Sequence, residues 1–173
     1  GKTLIESMLL GTLLTNIEVA YNLTKSEIEK LQQCHERGLR KLLSLPSKTP
    51  RKMIYLLTGS VPIEYLVQRR RLIYLHNILN QKEDSLLKTF FVHQLKTKKS
   101  KDWAADILKD LKSFDINLTM KEIQNLPEET WKLLVKNKSI ENTLKELNSK
   151  QGSKSQHKKS LISYTWPLKF VQI

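Results

Sequence analysis

Three consecutive arginines, Arg69, Arg70 and Arg71, stand in the middle of a stretch, 59–79 (GSVPIEYLVQRRRLIYLHNIL), that otherwise reads as a packed helix. A guanidinium is a permanently charged planar fork that grips carboxylates or phosphates two oxygens at a time. On a 3.6-residue period Ile63, Leu66, Val67, Tyr74 and Ile78 share one face. Arg70 falls inside that stripe. Its expected role is structural, with the stem packed and the head on a carboxylate or a helix-end carbonyl. Arg69 and Arg71 point off the stripe to either side, which makes them the expected phosphate contacts of the three.

Other cations gather around this helix. Between residues 36 and 101 there are fifteen Lys or Arg against four acids. Arg37, Arg40, Lys41, Arg51 and Lys52 join Arg69, Arg70 and Arg71 as candidate nucleic-acid-binding residues. Lys48, Lys96, Lys98, Lys99 and Lys101 extend the basic set. Basic residues on tandem helices can track a phosphate backbone; a solvated charged surface would carry the same residues. Tyr55, Tyr65 and Tyr74 are interleaved with the cations and suit either base stacking or core filling.

Residues that could do covalent or metal chemistry do not assemble. Cys34-His35 has no identifiable third partner, and His35 shares a stripe with Leu31 and Leu39, so it is expected to be a core or interface histidine. His76, His93 and His157 are not at metal-ligand spacing. Gly1-Lys2-Thr3 mimics the end of a phosphate-binding loop without the upstream glycine and strand that the signature needs. Glu83-Asp84 and Glu128-Glu129 stand at helix starts, where the helix dipole accounts for acids. No catalytic residue and no metal site is expected, and no cofactor is assigned to this chain.

The elements that must position the basic set are all helical. The chain has 173 residues with only five Gly and five Pro, and is 39% apolar. That composition predicts an all-α, multi-helix array. An apolar helix is expected over residues 2–19. Thr24 and Glu27 form a capping-box signature for a helix to about residue 45. Thr49 is expected to cap a short helix that Pro50 begins and Gly59 stops, and Pro62 to open the arginine helix. Further helices are expected over 85–95, 102–114, 119–126 and 127–147. Four regions follow: 1–21, an apolar helix docking on an upstream partner; 22–101, basic and helical; 102–148, a helical extension; and 149–173, a basic tail expected to be poorly ordered.

A net charge of +13 makes a polyanion the default partner, nucleic acid or an anionic membrane face. A single cysteine excludes a disulfide framework within the chain and suits an intracellular compartment. No run of apolar residues is long enough to span a membrane. The chain begins at Gly1 and is expected to be a piece of something longer.

The order and spacing of several motifs carry a resemblance. YNLT at 21–24, EIEKL at 27–31, LRKLL at 39–43, TGSVP at 58–62 and RRRLIYLHNIL at 69–79 are followed by KDW at 101–103, INLT at 116–119 and the segment from Trp131 to Leu147. Together, over about residues 4–159, they resemble the region C-terminal to the polymerase core in reverse transcriptases of non-LTR (LINE-type, jockey-like) retrotransposons. The resemblance implies an RNA-directed DNA polymerase whose magnesium-binding palm aspartates lie upstream, outside this chain. It also implies a thumb-like helical segment that grips template RNA and primer DNA and is not catalytic alone. Its partners would be RNA, DNA and the upstream polymerase domain, with nuclear and cytoplasmic localisation. Ala20 stands where relatives often carry an aromatic. After Lys159 the chain departs from the pattern, which reads as a frame-shifted or read-through end. Two other readings remain at this stage: a helical protein-interaction module docking through its first helix, and a basic protein of membrane surfaces.

Overall fold

A computed structural model describes residues 10–11, 14–17, 23–97, 99 and 102–149. The described residues form seven helices and no strand: α1 (Lys25–Leu42), α2 (Arg51–Thr58), α3 (Ile63–Leu79), α4 (Leu86–Thr97), α5 (Trp103–Ser113), α6 (Met120–Asn125) and α7 (Glu128–Ser149). The all-α array expected from composition is the architecture observed. The predicted basic tail, Lys98, Lys101 and most of the predicted first helix lie outside the described residues.

The local signals explain the boundaries. Thr24 and Glu27 make a reciprocal capping box at the start of α1, with the Thr24 amide 2.7 Å from Glu27 Oε2 and the Glu27 amide donating to Thr24 Oγ1 at 3.3 Å. Thr119 and Glu122 repeat the motif at α6. Gly59 closes α2 in the left-handed region, φ 66°, its amide donating to the Tyr55 carbonyl at 2.9 Å. The expected Thr49 cap does not form: Pro50 takes the N-cap position and no side chain caps α2. The Thr49 carbonyl instead accepts a hydrogen bond from Arg40 Nη2 at 3.2 Å. Pro62 likewise precedes α3 without a side-chain cap of its own; the Ile63 amide donates to Gln32 Oε1 on α1 at 2.9 Å, so a neighbouring helix supplies the acceptor.

α3 is the axis of the fold. It packs against α1, α4, α5, α6 and α7. Its front half, Ile63, Leu66 and Val67, is buried with Leu14, Ile17 and Val61, and Leu31 and Ile140 pack against that group. Its back half, Leu72, Leu75, Ile78 and Leu79, joins Phe91, Ile107, Leu111, Phe114, Ile123, Trp131 and Val135 in the main core. Residues on opposite sides of α3 are therefore both buried, where the sequence pattern suggests one apolar stripe. Trp131 locks α7 to this axis: it is fully buried, its Nε1 donates to the Leu72 carbonyl at 2.8 Å, and it stacks on His76 at 6.4 Å. A third cluster, Leu39, Ile54, Tyr55 and Leu147, joins α1, α2 and the end of α7.

Candidate nucleic-acid interface

The eight basic candidates divide according to what the fold asks of them. Arg71 turns inward. Its Nη2 donates to Asp110 Oδ1 at 3.0 Å, its Nε lies 2.8 Å from Asp110 Oδ2, and Asp106 Oδ2 is 3.6 Å from Nη1. The Arg71 side chain is only 15% exposed and Asp110 is buried. The expectation that Arg71 faces phosphate gives way because α5 covers the side of α3 on which it projects. Asp110 is held well above the ordinary aspartate range, at about 6; burial raises it more than the Arg71 guanidinium lowers it, and Asp106 and Glu64 add to the rise.

Arg70 lies within the apolar stripe and its Nη1 donates to the Leu14 carbonyl at 2.7 Å, tying residues 14–17 to α3. The partner is a backbone carbonyl of the turn at residues 14–17. Arg51 bridges Glu29, 2.8 Å away, and the buried Glu36, and so clamps α2 to α1. Glu36 also faces Arg40 at 3.6 Å. Lys52 Nζ donates to the Leu147 carbonyl in the last turn of α7, where a cation complements the helix dipole. An open cleft of about 360 Å³ between these elements is lined by Glu29, Gln32, Arg51, Lys52, Tyr55, Glu64 and Glu146, among others, and both of its cations are already engaged. Arg40, Arg51, Lys52, Arg70 and Arg71 thus all serve contacts within the chain.

Arg37, Lys41 and Arg69 have no ion pair among the described residues. Arg37 and Lys41 are exposed on the outer side of α1, opposite the buried Gln32, His35, Glu36 and Leu39. One residue belongs with them that the sequence reading passed over. Lys30 is exposed and precedes Arg37 by seven positions. Its signal in the sequence is the i, i+7, i+11 spacing of Lys30, Arg37 and Lys41, which begins upstream of the cation-rich stretch that starts at residue 36. At 1.5 Å per residue the three cations span about 16 Å of helix edge, roughly the axial length over which one strand of duplex carries five phosphates. Cys34, the chain's single cysteine, is exposed on the same edge. Lys48 is exposed in the loop that Arg40 holds against α1.

Arg69 is half-buried, and burial, with Arg70 adding to it, holds its guanidinium below the ordinary arginine range. An approaching anion would offset that desolvation. Tyr55, Tyr65 and Tyr74 are taken up by the core. Tyr55 is buried, Tyr65 makes an edge contact with Phe114 at 6.3 Å, and Tyr74 an edge contact with Trp103 at 5.9 Å. None is left as a stacking platform. His35 is fully buried with neither ring nitrogen hydrogen-bonded, and burial lowers it to about 4.

Among the described residues no group of His, Cys, Asp and Glu is arranged to hold a metal ion, and no helix is long and apolar enough to cross a membrane. No protein-family model, curated protein or solved structure matches the chain.

Proposed function

We propose that this chain is a nucleic-acid-binding helical segment of a non-LTR-type reverse transcriptase, non-catalytic alone, which grips template RNA and primer DNA beside an upstream polymerase domain. The observation that carries the binding reading is the outer edge of α1, where Lys30, Arg37 and Lys41 stand exposed on one line, with no ion pair among the described residues, in a chain with net charge +13. Such cations lose little by meeting phosphates, because no ion pair among the described residues has to break first. Arg69 is a secondary contact, favoured by its desolvation. The assignment to a reverse transcriptase rests on the motif order described above. It implies that magnesium belongs to the upstream palm and that the parent protein works in nucleus and cytoplasm.

Cys34 offers a direct test. It is exposed on the same edge, four residues from Lys30 and three from Arg37. A bound RNA–DNA duplex should slow alkylation of this thiol by a neutral maleimide, and added salt should restore the rate. Alkylation at the same rate with saturating duplex would remove this edge as the contact surface.

A second reading draws on α4. Leu86 is 86% exposed and Phe90 61% exposed, an apolar ridge of the sort that meets protein. An interaction module would keep its partner at high salt, whereas phosphate binding would be lost.

A further inference from the structure

α2 is apolar on both faces. Ile54, Tyr55 and Thr58 face inward and are buried. Met53, Leu56 and Leu57 lie on the opposite side and are 47%, 47% and 52% exposed. Their i, i+3, i+4 spacing makes them one continuous stripe on a two-turn helix. Single exposed apolar residues are ordinary; three large ones in a contiguous line mark a surface that something covers.

The course of the chain indicates the occupant. α7 runs to Ser149, and Leu147 packs with Ile54 and Tyr55 on the inner face of α2. The backbone therefore leaves the described fold about one helix diameter, roughly 10–12 Å, from the outer stripe. Residues 150–160 are polar, with four lysines and no large apolar side chain. Extended, those eleven residues reach up to about 36 Å. Residues 161–173, LISYTWPLKFVQI, then bring eight apolar side chains, Trp166 and Phe170 among them. A polar spacer of ample reach joins an apolar segment to the neighbourhood of an uncovered apolar stripe.

We propose that residues 161–173 dock, within their own chain, on the outer face of α2 formed by Met53, Leu56 and Leu57, with Trp166 as the anchor. Tethering by a short linker supplies an effective concentration in the millimolar range, so a contact too weak to hold a separate peptide is sufficient here. Trp166 offers a large contact area with few rotors to immobilise. This assignment does not depend on nucleic-acid binding.

The full chain has three methionines, Met8, Met53 and Met120, so methyl-labelled methionine gives a three-line spectrum. The Met53 methyl should sit in the ring current of Trp166 and move in a Trp166→Asp variant, while Met120, partly buried against the main core, stays in place. Reciprocally, Leu56→Asp with Leu57→Asp changes only exposed positions and should make Trp166 more accessible to acrylamide, read as the difference between each chain and its Trp166→Phe counterpart. Both readouts should be unchanged on dilution. An unmoved Met53 methyl together with equal quenching in parent and variant would overturn the proposal. A concentration-dependent Met53 shift would overturn it in favour of docking by a second copy.

Discussion

At the scale of single residues, three adjacent arginines have three different fates. Arg70 holds a carbonyl, Arg71 holds a buried carboxylate, and Arg69 holds nothing among the described residues. Two buried groups that titrate away from their ordinary ranges, His35 and Asp110, work against each other. His35 is lowered to about 4, so above pH 6.5 its burial is free of a protonation penalty. As pH falls from 6.5 toward 4 the unfolded state binds the proton first and stability drops, by about 3 kcal/mol at most. Asp110 is raised to about 6, so its contribution is intact below its ordinary pKa near 3.8 and is lost as pH rises toward 6, by a similar amount. Between pH 4 and 6 the two slopes have opposite sign and nearly cancel. The contributions of these two groups to the urea midpoint should offset one another across that window, leaving the parent chain only the rise with pH that the lowered Glu29, Glu122, Glu128 and Glu141 carboxylates add. Relative to the parent, His35→Leu should tilt the midpoints downward with rising pH, and Asp110→Asn should tilt them upward. Parallel profiles for all three proteins would contradict the assignment. Asn keeps an oxygen acceptor for Arg71, so the second variant tests charge rather than the loss of a hydrogen bond.

At the scale of elements, the ends of helices were legible and their burial was not. Capping boxes at Thr24 and Thr119 and the glycine stop at Gly59 act within a few residues, so sequence alone locates them. Replacing Gly59 by Ala should confirm that the left-handed turn matters. An L-residue at φ 66° costs about 1–2 kcal/mol, partly offset by a less disordered unfolded chain. The melting temperature should fall by about 2–4 °C. An unchanged or higher value would mean that the α2–α3 turn relaxes without a left-handed residue. The register of α3 was harder to read. Its apolar residues surround the helix, and a central helix has no solvent face to give direction to the pattern. Picking one stripe, Ile63 to Ile78, left Leu72, Leu75 and Leu79 unassigned and turned Arg71 outward on paper. Its partner, Asp110, is thirty-nine residues away on α5, a separation at which no local rule operates. The missing cap on α3 has the same explanation: its acceptor, Gln32, is thirty-one residues upstream.

At the scale of the whole molecule, the fold sorts its charge. Cations near a helix junction are drawn inward to carboxylates and carbonyls, as Arg51, Lys52, Arg70 and Arg71 are. Cations on the outer edge of α1 stay exposed, with no ion pair among the described residues. The sequence supplied the excess positive charge and the helices that carry it, but not this division, because ion pairing is decided by which helices meet. Substituting Arg71 would therefore test stability, not binding, since it strands Asp110 in the core. The decisive measurement is the salt dependence of affinity for an RNA–DNA duplex, compared between the parent chain and a Lys30→Gln/Arg37→Gln/Lys41→Gln variant whose helical content is checked by circular dichroism. Each phosphate neutralised contributes about 0.7–0.9 to the slope of log affinity against log salt. Loss of the three α1 cations should make that slope shallower by about 2–3. An equal slope in both proteins would contradict the account, and would mean that the phosphates meet another face.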